Sequence, residues 1–182
     1  LEPSKRQNIQ ATGQARVNFG KGIVTASNIQ LANNRYQAQI IADNVPLQRL
    51  PSVPPQLQGD LNGQFNVAGS LEASQRQNIQ ATGQAQVNVG KGTVTASDIQ
   101  LANGRYQALV AASGVELNRF NQQLRGELGG QLQIAGTVAS PKLSDVRAAG
   151  YVQLSQGIPG LEKPLDAAIA WNGQKLTIVK AT

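Results

Sequence analysis

With 182 residues, no cysteine, no histidine and no apolar run near the ~20 residues of a spanning helix, the chain excludes several classes of chemistry. Disulfides, thiolate or imidazole metal sites, and histidine acid–base catalysis all fall away. The formal charge of +6 comes from basic residues scattered singly (Arg16, Lys21, Arg35, Arg49, Lys91, Arg105, Arg119, Arg125), with three Phe, three Tyr and one Trp for stacking, so no nucleic-acid partner is expected.

Residues 8–19 alternate strictly. Ile9, Ala11, Gly13, Ala15, Val17 and Phe19 are apolar or small, whereas Gln10, Thr12, Gln14, Arg16 and Asn18 are polar. That period of two predicts a strand with one face in water. Gly20-Lys21-Gly22 supplies a tight turn. A second strand runs through Val24 and Ala26, then resumes with Ile29 and Leu31 on the opposite parity, which predicts a bulge near Ser27-Asn28. Asn33-Asn34 marks the next turn, and Tyr36, Ala38, Ile40 and Ala42 a third strand. Pro46 and the segment Pro51–Pro55 mark a loop, after which 57–67 resume alternation through Leu57, Leu61, Phe65 and Val67.

The chain then repeats itself. Residues 5–40 and 75–110 share 28 identities in 36 aligned positions at an offset of 70. Leu57–Gly69 returns as Leu124–Gly136, at an offset of 67, so Leu124, Leu128, Leu132 and Ile134 renew the fourth strand. A degenerate third start appears at Asp145–Leu154, and strands near 164–171 and 174–181 flank Asn172-Gly173. The expected organisation is a single elongated segment, 1–182, of about eleven strands: repeat 1 at about 5–74, repeat 2 at about 75–141, and a partial third at about 142–182. A fixed period marks a stacked array. Without Met or a leader, the sequence is expected to be a piece of a longer protein.

The differences between copies fall unevenly. Phe19/Val89 and Ile40/Val110 exchange one hydrophobe for another, whereas Arg16/Gln86, Ile23/Thr93 and Gln39/Leu109 mix chemistry. Gln and Asn, 38 residues in all, alternate with aliphatic residues, as expected on the wet face of a sheet. The apolar face must be hidden or used. The sheet can close as a barrel, pair as a filled β-sandwich, wind as a β-solenoid or fold lengthwise into an open apolar trough, and its small inward residues would leave room in the middle. The sandwich and the solenoid stand slightly ahead of the trough on packing grounds.

No enzyme is expected. The ten carboxylates form no dyad at matching positions, since Asp98 stands where the first copy has Asn28 and Glu116 where it has Pro46. Gly20-Lys21-Gly22 lacks the Ser/Thr ending and helix of a phosphate-binding loop.

The phrases Leu124-Arg-Gly-Glu-Leu-Gly-Gly-Gln-Leu-Gln-Ile-Ala-Gly-Thr-Val-Ala-Ser-Pro141 and Gly69-Ser-Leu-Glu-Ala73 resemble the recurring glycine-spaced strands of the TamB family, within the wider AsmA-like group. The resemblance spans roughly 1–155. It implies an all-β fold: an elongated repeat sheet folded lengthwise into a taco-like groove with an apolar interior. It further implies a periplasmic segment that carries phospholipid between inner and outer membranes, supports outer-membrane protein assembly, or both. Expected partners are phospholipid acyl chains and an outer-membrane β-barrel assembly protein acting outside this segment; the membrane anchor would lie elsewhere in the full-length chain. No cofactor is implied. The candidate lipid-groove residues are Ile9, Val17, Phe19, Val24, Ile29, Leu31 and Ile40 from the first copy. Ile79, Val87, Val89, Val94, Ile99, Leu101 and Val110 come from the second, and Leu128, Leu132, Ile134, Val152 and Leu154 continue the row. The alternatives are a scaffold or chaperone that pairs with unfolded outer-membrane strands by β-augmentation, and a cell-surface adhesin repeat.

Overall fold

The computed structural model describes residues 10–49, 58–72, 78–139, 142–155 and 163–181. Ile9, Pro51–Pro55 and Leu57 lie outside them. The described residues form eleven strands: β1 (Ala11–Phe19), β2 (Gly22–Ala32), β3 (Arg35–Pro46), β4 (Asp60–Ser70), β5 (Gln80–Val89), β6 (Gly92–Ala102), β7 (Arg105–Glu116), β8 (Glu127–Thr137), β9 (Arg147–Leu154), β10 (Leu165–Trp171) and β11 (Leu176–Ala181). They build one antiparallel sheet in strict chain order, β1 to β11, not closed into a barrel. At ~4.8 Å per strand the sheet extends roughly 50 Å.

Packing grounds favoured a sandwich or solenoid, and the structure corrects both. Every substantial strand contact is between consecutive strands, so among the described residues no second sheet lies on the first. A solenoid would need parallel coils, and all ten pairings are antiparallel. The physical reason is connectivity. Two-residue turns join β1 to β2, β2 to β3, β5 to β6 and β6 to β7, and each longer connection also returns the chain antiparallel beside the strand before it, so no crossover among the described strands starts a second layer.

Turn chemistry follows the residues at each corner. Asn33 and Asn34 both have positive φ (50° and 59°), as do Asn103 and Gly104 (52° and 70°), the pattern of a two-residue type I′ hairpin. Gly20 and Gly90, at φ 64°, open the other hairpin of each copy. The expected bulge is present: the β2–β3 register shifts between Ser27 and Gln30, with Asn28 at φ 52°, and β6 repeats it at Asp98, φ 51°. The fourth strands begin later than the alternation predicts, since β8 starts at Glu127 and Leu124 sits in the loop before it.

The buried residues are few. Val45, Val89 and Val115 lie at the end of the sheet where β3, β5 and β7 finish, with Leu47 and Leu117 just beyond. Both leucines start single 3-10 turns, Leu47–Arg49 and Leu117–Arg119. Their amides donate to the Gly59 and Gly126 carbonyls at 2.9 and 3.0 Å, which hooks each third strand onto the start of the fourth.

Register also identifies the third repeat. Phe65 and Leu132 occupy the same place in β4 and β8, and their partners across the next pairing are Gly83 and Gly150. Leu61 and Leu128 likewise face Val87 and Leu154. Strand β9 is therefore the counterpart of β5, and the array has a period of four strands.

Candidate functional site

Directly paired residues share a face of a sheet, so register traces the apolar side. One rung crosses all eleven strands: Val17, Val24, Ala42, Gly63, Ala85, Ala96, Val110, Leu132, Gly150, Ile169 and Ile178. Each member is aliphatic or glycine. A parallel rung runs from Val45 through Leu61, Val87, Val94, Ala112, Gly130, Val152 and Ala167 to Ala181. On the far side of Val110's rung lie Ala26, Ile40, Phe65, Gly83 and Ile99, and then Ala38, Val67, Ala81, Leu101, Tyr106 and Gly136.

The candidates in the described strands thus share one face. Val17 and Phe19 of β1, Val24, Ile29 and Leu31 of β2, and Ile40 of β3 join Val87, Val94, Ile99, Leu101 and Val110 of the second copy there. Leu128, Leu132, Ile134, Val152 and Leu154 continue the same side. Two residues differ. Ile79 precedes β5 and is exposed, and Val89 is 1% exposed, sealed within the end cluster and out of reach of any ligand.

Alternation alone could have added residues that belong to this face: Leu61, Phe65, Val67, Tyr36, Tyr106, Leu165, Ile169 and Trp171. Glycine stands beside three of the aromatics. Tyr36 stands opposite Gly69, and Tyr106 opposite Gly136; a Cβ on either glycine would overlap the tyrosine ring and hydroxyl. Phe65 lies across Gly63 and Gly83 in the same way. These rings rest along the sheet on strips of bare backbone, so they fill it sideways. Trp171 is tied down too, its indole N–H donating to the Leu143 carbonyl at 3.1 Å.

The opposite face is amide-rich and speaks to water. Its rungs include Thr12, Gln30, Gln37, Ala68 and Gln80, and Thr82, Gln100, Gln107, Ala135 and Arg147. Gln37 Nε2 donates to Gln30 Oε1 at 2.7 Å, and Gln107 repeats the bond to Gln100 at 2.9 Å. Shallow hollows on this side are lined by Gln37, Gln39, Asn66, Gln80 and Thr82. Two ion pairs fix the glycine-lysine-glycine turns: Lys21 to Asp60 at 2.6 Å and Lys91 to Glu116 at 3.5 Å.

Among the described residues no three His, Cys, Asp or Glu side chains come together as a metal site. No helix there is long and apolar enough to cross a membrane, which leaves spanning by strands untouched. What the arrangement can do chemically is hold apolar matter. It is a continuous aliphatic strip, backed by hydrogen-bonded strands and uncovered by any second layer of described residues. No known protein family, curated protein or solved structure matches this chain.

Proposed function

We propose that the apolar face carries phospholipid acyl chains, and that the chain is a stretch of a TamB-like protein working between the inner and outer membranes. The observation that supports this is the eleven-strand rung from Val17 to Ile178, all aliphatic or glycine, with no second layer of described residues upon it. A water-facing strip of that length is unfavourable unless something oily covers it, and each CH₂ removed from water contributes about 0.8 kcal/mol. The strip has no charged member along the rung, so it would grip tails and leave headgroups in solvent. Tyr36, Phe65 and Tyr106 lie over glycine, which keeps these rings low on the face.

The function is transport or bridging, with no bond made or broken. Outer-membrane assembly would follow as a consequence of lipid supply. The test is Val87→Arg, which places a cation in the middle of the strip. Far-UV CD should be unchanged, and transfer of a fluorescent phospholipid between donor and acceptor vesicles should fall to background. Unimpaired transfer by a folded Val87→Arg protein would sink the proposal.

A further inference from the structure

The outermost described strands are not flanked in the same way as the inner ones. Strands β5 and β9 occupy the first position of their repeats, and each is flanked on its outer side by a fourth-position strand, β4 or β8. The pairing is specific. Position by position, Leu61, Gly63, Phe65 and Val67 of β4 meet Val87, Ala85, Gly83 and Ala81. Leu128, Gly130, Leu132 and Ile134 of β8 meet Leu154, Val152, Gly150 and Ala148. The glycine in each first strand exists for that neighbour: a Cβ on Gly83 would overlap the Gln64 carbonyl oxygen, and one on Gly150 the Gln131 carbonyl oxygen.

Strand β1 is the first-position strand of the first repeat, and it carries the same glycine at Gly13. Here a Cβ would meet nothing within 4 Å. Every residue of β1 is exposed, whereas β5, with almost the same residues, alternates between exposed and half-buried. Among the described residues, β1 is prepared for a neighbour it does not have.

We propose that the outer edge of β1 is a docking edge for one extended strand of the fourth-position pattern, Leu-x-Gly-x-(Phe or Leu)-x-(Val or Ile), added antiparallel. The internal repeats supply both its register and its sequence. The incoming bulky residue would rest on Gly13, its glycine would face Ala15, and its leucine would face Val17. Backbone hydrogen bonds give such an added strand its affinity, and the alternate side chains give it specificity. A second copy of this chain would not fit as well. Its free edges among the described strands are β1, a first-position strand, and β11, which the matching pairs Trp171–Leu176 and Leu101–Tyr106 identify as a third-position strand, the counterpart of β7, so neither carries the fourth-position pattern. The inference stands apart from whether the apolar face carries lipid.

The experiment uses a fluorescein-labelled peptide of residues 58–70 titrated with the whole chain, read by anisotropy and by hydrogen exchange. Wild type should bind, with slowed exchange confined to β1 amides. Gly13→Val fills open space in the free protein, so its thermal unfolding should be unchanged, and its affinity should drop by roughly tenfold or more because the new side chain meets the incoming carbonyl. A peptide with the residues of positions 63 and 65 exchanged should bind as weakly. The proposal is overturned by absence of binding to wild type, by equal binding to Gly13→Val or of the exchanged peptide, by protection at β11 in place of β1, or by concentration-dependent protection of β1 without peptide.

Discussion

Strands β1 and β5 carry nearly the same residues, with Arg16/Gln86 and Phe19/Val89 the differences between 11–19 and 81–89. Their environments are nonetheless unlike. β1 is exposed throughout, with Val17 at 52% and Phe19 at 37%, whereas β5 is half-buried on one face and ends in Val89 at 1%. Local sequence sets the strand and its two faces, and the neighbour sets the burial. The energy of a position in this array therefore depends on where in the stack its copy lies, as nearest-neighbour coupling in repeat proteins requires.

The sharpest way to break that comparison is to make the same change in both copies. Gly83→Val forces a side chain into the Gln64 carbonyl and the Phe65 ring, and should cost about 3 kcal/mol in urea unfolding. Gly13→Val should stay within about 0.5 kcal/mol of wild type. Next in size, Val89→Ala empties a sealed site and should cost about 2 kcal/mol. Val17→Ala, half exposed in β1, should cost less than about 1 kcal/mol in the same assay.

A smaller effect sharpens the contrast between hairpins. Asn34 holds φ 59° where the second copy has Gly104. Asn34→Gly should stabilise the chain by less than about 1 kcal/mol, read as a rise in unfolding midpoint. The smallest effect concerns the lysine turns. Lys21 is 63% exposed, so Lys21→Gln should cost less than about 1 kcal/mol, a loss that fades in 1 M salt. Lys91→Gln should cost less again, because its ion pair is longer, at 3.5 Å, and Lys91 is 83% exposed.

Much of this fold was legible because its signals are local. Alternation located the strands, Asn-Asn and Asn-Gly the hairpins, and the parity change at Ser27-Asn28 the bulge. What escaped were features made by partners distant in sequence. Leu47 and Leu117 carry no signal in the alternation, yet their amides hook onto the Gly59 and Gly126 carbonyls. Val89 reads as one more member of the apolar row, yet it is 1% exposed at the end of the sheet. The preference for a filled core failed because it supposed a second layer over the apolar face; the small residues and glycines serve instead as a floor on which Tyr36, Phe65 and Tyr106 lie.

The most direct test of the central claim uses two adjacent residues of β7. Val110 lies on the aliphatic rung, and Ala111 points to the amide side opposite Thr95 and Gln131. A photoreactive amino acid installed at each position and irradiated with phospholipid vesicles should give a lipid adduct at 110 and none at 111. Equal labelling at both positions, or labelling only at 111, would contradict an acyl-carrying apolar face.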